Sequence, residues 1–169
     1  MQALCVLVCL LAGLPDGHVR PLDPWAKEAL RLGIERSATL RHLIDELERS
    51  DVIVHVETRL ALPFSAVGMT RLAAATASHR YVRIVLFRDP LPVSRVAVLG
   101  HELQHAWEIA QSNVRDAHDM RALFDMIGRP APGEHTAYET DAAVRIMRTV
   151  WYEIHGDEKR AAQFRAIAH

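Results

Sequence analysis

The stretch Val96-Ala97-Val98-Leu99-Gly100-His101-Glu102-Leu103-Gln104-His105-Ala106-Trp107-Glu108-Ile109-Ala110 sets the reading of the whole chain. It is apolar up to Gly100, and no proline interrupts residues 93–109, so a helix is the natural local structure. On a helix, His101 and His105 stand one turn apart on the same face. Two neutral imidazoles so placed can both reach one metal ion, at about 2.0–2.1 Å where that ion is zinc. Glu102 then projects beside the ion rather than onto it, which suits a general base acting on a water there. The competing reading is a surface helix with incidental histidines. With 10 histidines in 169 residues, an accidental match of this kind arises in about a few per cent of shuffled chains. The apolar flank makes the helix expected independently of the motif.

Composition bounds the remainder. At 169 residues and 50% hydrophobic content, the chain can bury a core without disulfides or a metal. The net charge is −1 and the pI about 6.8. No basic stripe in the sequence invites nucleic acid, and no acidic tail is present. Residues 3–14 (ALCVLVCLLAGL) are apolar and uncharged and break at Pro15-Asp16-Gly17. Twelve residues are too few to span a bilayer, which takes about 20, and match the apolar region of a secretory signal. No lysine or arginine precedes them and no clean A-x-A site follows. A signal peptide over residues 1–19 and one domain over residues 20–169 are the expected organisation. The product would be secreted or periplasmic, with no stable membrane span after cleavage. Both cysteines, Cys5 and Cys9, lie in this leader, so a cleaved product has neither a disulfide framework nor a cysteine metal site.

Residues 20–24 read as a linker. Helical spacing follows to Glu48, with Leu40, Leu43, Ile44 and Leu47 on one face and Ser37 as an N-cap. Residues 52–58 alternate and are rich in valine, which predicts a strand. Residues 67–76 and 81–87, separated by a polar turn at Ser78-His79-Arg80, predict a hairpin, giving three strands in all. The pattern predicts a helix over residues 117–127, closed by Gly128-Arg129-Pro130. A long helix is expected from near His135 to about His155, then a short one to Ala168. The fold class is therefore α+β: an N-terminal helix, a small three-stranded sheet, the His101 helix and C-terminal helices.

His101-Glu102-Leu103-Gln104-His105 has the HExxH spacing of zinc-dependent peptidases. With the element order above, residues 37–155 resemble the gluzincin branch of the zincins, and in particular the minigluzincins. The metzincin extension is excluded, because it needs glycine where Glu108 stands and histidine where Gln111 stands. The resemblance implies one zinc ion bound by His101, His105 and a glutamate on a later helix. Glu139 is the candidate, with Ala142 and Ala143 small enough for that helix to approach closely. Many gluzincins place an aspartate four residues after the glutamate, to support a ligating histidine. This chain has Ala143 there, and Asp141 would point about 200° away from Glu139 on an ideal helix. His135 is a candidate either as a substitute ligand or for stabilising a developing oxyanion, and Tyr138 is a further candidate for the oxyanion. The resemblance also implies an edge strand beside the metal to which an extended substrate pairs; residues 81–87 are the expected strand.

These readings give a zinc metallopeptidase, an endopeptidase rather than an exopeptidase, with Glu102 as base and a peptide or protein as substrate. The alternative is a non-catalytic module in which zinc only braces the helices. Nothing in the sequence sets an oligomeric state or a cleavage preference.

Overall fold

A computed structural model describes residues 17–88, 91–130 and 138–166. Its main sheet holds β1 (Val19–Pro21), β2 (Val52–Arg59), β3 (Gly68–Ala75) and β4 (Arg80–Phe87), in the order β1-β2-β4-β3. β1, β2 and β4 run parallel, and β3 is antiparallel to β4. The helices are α1 (Pro24–Arg36), α2 (Ala38–Glu48), α3 (Pro92–Ala110), α4 (Ala117–Ile127), α5 (Asp141–Ile154) and α6 (Glu158–Ala166). Two short strands, β5 (Arg129–Pro130) and β6 (Tyr138–Glu139), pair between α4 and α5. The expected α+β class stands. Among the described residues no helix is long and apolar enough to cross a membrane.

Parallel neighbours need a crossover, and α1 with α2 supplies it between β1 and β2. Alternation decides the inner face: Val52, Val54 and Val56 of β2 and Val82, Ile84 and Leu86 of β4 are fully buried. They join Leu40 and Leu47 of α2 and Leu99 and Leu103 of α3 in one core. Burying each such side chain contributes about 1.5–3 kcal/mol. Ser37 sits between α1 and α2 and accepts from the Leu40 amide at 3.0 Å, as its N-cap role requires. Its hydroxyl donates to the buried Glu153 of α5, which also accepts from the Thr39 amide and hydroxyl. Those contacts tie the α1–α2 corner to α5.

The C-terminal end of α3 is anchored by a buried arginine that opens β4. Arg80 donates to both Asp51 oxygens and to the carbonyls of Ile109, Ala110 and Ser112, at 2.5–2.9 Å. A cation is favoured at this negative helix terminus.

Three expectations change. Residues 20–24 are no linker, because Val19–Pro21 forms β1 and Asp23 caps α1. The His18 amide donates to Glu48 at 2.8 Å, so a domain boundary at residue 20 would cut the folded unit; residues 1–16 lie outside the described ones. A three-residue strand containing proline gives too short a pattern to be read from sequence. Second, β4 is interior, between β2 and β3, and the edge strands are β1 and β3. Third, α5 begins at Asp141, with Thr140 as N-cap, and Glu139 lies on β6 ahead of it.

Candidate metal centre

The site forms where α3, β3 and the start of α5 meet. Gly100 permits the meeting of the two helices: a Cβ there would lie 3.0 Å from Val150 and 3.4 Å from Ile146 of α5. That crossing sets the chain just before α5 over the next residue of α3, His101. The Nε2 atoms of His101 and His105 are 3.2 Å apart, and Glu139 Oε1 lies 3.2 Å from His101 Nε2. All three ligand atoms fall within 4.8 Å of one another. A tetrahedral ion with arms of about 2.0–2.1 Å separates its ligands by about 3.3 Å. The three side chains could therefore hold zinc. Glu139 Oε1 is buried without a hydrogen-bond partner, an expensive state for a carboxylate oxygen that a cation would relieve.

Burial, and then His105 beside it, pushes the His101 imidazole down to about 4, so its neutral, ligating form prevails. Burial pushes the Glu102 and Glu139 carboxyls above their ordinary range. At His105 burial opposes the charge, but the Glu108 carboxylate on its Nδ1 together with the charges of Glu102 and Glu139 raises the ring above its ordinary range.

Glu102 stands beside this group, 5% exposed, with Oε2 accepting from the Thr70 hydroxyl of β3 at 2.7 Å. The neighbouring position in β3 is Gly68, where a Cβ would overlap the Glu102 carboxylate and Val98. Glycine is needed here for space rather than for its backbone angles.

The carboxylate beside His105 is Glu108, three residues on along α3. Its Oε2 accepts from His105 Nδ1 at 2.9 Å, which leaves Nε2 free as the ligand atom. Its Oε1 accepts from the Thr140 hydroxyl at 2.7 Å, while Thr140 Oγ1 accepts from the Ala143 amide. One threonine thus caps α5, follows Glu139 and fixes the partner of His105. Asp141 has no such role: it is three-quarters exposed and pairs with Arg129. Tyr138 lines the cleft, and its hydroxyl donates to Asp125 at 2.6 Å. His135 lies outside the described residues.

Glu108, Thr70 and Thr140 were not legible as site residues. Glu108 did leave a signal, since a carboxylate on a helix face shared with His105 and Ile109 needs a buried partner. The threonines left none, because what they touch is far away in sequence. A second acidic group, Asp116, His118 and Asp119, is mostly exposed at the start of α4. Asp116 there accepts from the Asp119 amide as the N-cap, which accounts for it.

The cleft over these residues encloses about 480 Å³. Phe64, Val67 and Met69 line it from the β2–β3 connection and β3, Phe124 from α4 and Met147 from α5. Phe64 and Ser65 both have positive φ, 57° and 59°, an unfavourable backbone for a bulky residue. Phe64 is 76% exposed and lines the cleft. No protein-family model, curated protein or solved structure matches the chain.

Proposed function

We propose that this protein is a zinc-dependent peptidase whose metal is held by His101, His105 and Glu139. The observation that carries the proposal is the convergence of those three ligand atoms beside a buried glutamate that is not one of them. Two neutral imidazoles and one carboxylate form the donor set of a catalytic zinc site that keeps a further position open. A bound zinc ion supplies Lewis-acid chemistry, lowering the pKa of water and polarising a carbonyl.

The chain's own residues do the rest. Glu102 takes the proton of the attacking water and delivers it to the departing amine nitrogen. Thr70 holds the Glu102 carboxylate in line through its 2.7 Å hydrogen bond. Glu108 keeps His105 in the tautomer that presents Nε2. The edge strand β3 runs along the cleft through Gly68, Met69 and Thr70, so an extended peptide can add to it by backbone pairing. Phe64, Val67 and Met69 favour a substrate with an apolar side chain beside the scissile bond. The apolar leader at residues 3–14 supports an exported protein.

Glu102→Gln tests the reaction. The variant should retain zinc, because residue 102 is not a ligand, while hydrolysis of a peptide library falls by at least about a hundredfold. Undiminished hydrolysis would remove the mechanism. Zinc binding with no hydrolysis in the wild type would leave the metal as a brace between helices.

A further inference from the structure

The outer face of the main sheet carries a row of cations that the linear sequence hides. Arg20 of β1 pairs in register with His55 of β2, His55 with Arg83 of β4, and Arg83 with Arg71 of β3. Four neighbouring strands each place one basic residue on a single line, about 14 Å long at the usual strand spacing. Like charges directly opposite each other destabilise a sheet, and the Arg71–Arg83 pair is such a case. Along the outward positions of the four strands Glu57 is the one carboxylate among the described residues, and Arg59 holds it at 2.9 Å. Arg83 reaches Glu57 only at 4.0 Å, and its Nε is buried without a hydrogen-bond partner. Arg20, Arg59, Arg71 and Arg83 against Glu57 leave a surplus of three positive charges, in a chain whose net charge is −1. Burial, and then Arg20 and Arg83 on either side, holds the His55 imidazole below its ordinary range, so the arginines carry the charge of the row.

Next to the row lies an aromatic tile. The Tyr81 and His55 rings are stacked, 13° from parallel with centroids 6.4 Å apart. Flat rings beside arginines suit stacked bases and their phosphates. A bilayer fits less well, because Ile53 and Val85 of this face are 6% and 7% exposed, which leaves Met69 at the β3 edge, 36% exposed, as the one large exposed hydrophobic among the described residues of the four strands.

We infer that the outer sheet face binds single-stranded nucleic acid, its phosphates on the Arg20–Arg83–Arg71 row and a base against Tyr81. This goes beyond the peptidase reading and needs no metal. It reverses the expectation of no nucleic-acid partner, which rested on a sequence without a basic run.

Fluorescence anisotropy of a labelled single-stranded dT oligonucleotide with the full chain tests it. Binding should weaken with salt, with a log–log slope of about −2 for three phosphate contacts. Arg71→Glu with Arg83→Glu should weaken binding by at least about tenfold, and Arg71→Gln alone by less. Tyr81→Ala should cost about fivefold or more, and Tyr81→Phe should restore it. Arg36→Glu, on the exposed end of α1, should change nothing. Should the double variant fail to fold, Arg71→Gln and the Tyr81 pair carry the test, since each replaces a side chain at least partly exposed. The proposal is overturned by no binding, by equal losses in Arg36→Glu, by full affinity in the Arg71 and Tyr81 variants, or by binding to anionic vesicles in place of the oligonucleotide.

Discussion

Under the proposed zinc site, Glu108 would be the carboxylate that orients His105. It approaches His105 from the same helix, one turn on, and is held in turn by Thr140. Removing such a supporting carboxylate typically costs 10–100-fold in metal affinity. Glu108→Ala should therefore weaken zinc binding by about that factor, and Glu108→Gln should recover part of it by still accepting from His105 Nδ1. Competition with one chelator across the three proteins measures this; unchanged affinity in Glu108→Ala would show that His105 needs no such support. The residues that define the motif were legible because their meaning lies in local spacing. Their supports were not, since Thr70 and Thr140 meet Glu102 and Glu108 only after the sheet and α5 have packed.

Element starts and ends decide where the site residues fall, and one cap offers a clean test. The Asp23 carboxylate accepts from the Trp25 and Ala26 amides at the start of α1 and from the Thr58 amide and hydroxyl of β2. Burial works against its charge, but these hydrogen bonds prevail and hold the carboxyl below its ordinary range. A depressed carboxyl contributes stability that is fully present above its unfolded pKa and lost as pH falls through its folded pKa. Asparagine still caps α1 but sets an NH2 against the Thr58 amide, where Asp23 Oδ2 accepts. Asp23→Asn should thus lower stability near neutral pH by about 1 kcal/mol, and the deficit should shrink as wild type is acidified below about pH 4. Thermal melts across pH check this, and a deficit that grows in acid would contradict it. The strands β2, β3 and β4 and the helices α2 and α4 followed from periodicity and caps. The start of α5 did not: the residues before Asp141 have helical composition, yet Thr140 caps the helix and Tyr138–Glu139 pair with Arg129–Pro130 instead.

For the molecule as a whole, class and element order could be read from the sequence, but strand order could not. Alternation tells which residues face inward, not which strand lies at the edge, and it is β3, not β4, that takes an edge of the sheet. The same fold turns α3 inward, with Arg80 anchoring its end and α5 crossing at Gly100, so that three ligands from two separate segments meet. Anomalous scattering at the zinc edge, from crystals grown with zinc, tests whether that meeting holds the metal. One peak is expected, about 2.0–2.1 Å from His101 Nε2, His105 Nε2 and a Glu139 oxygen, with Asp141 on the surface beside Arg129. A peak held without Glu139, or no zinc at the two histidines, would contradict it.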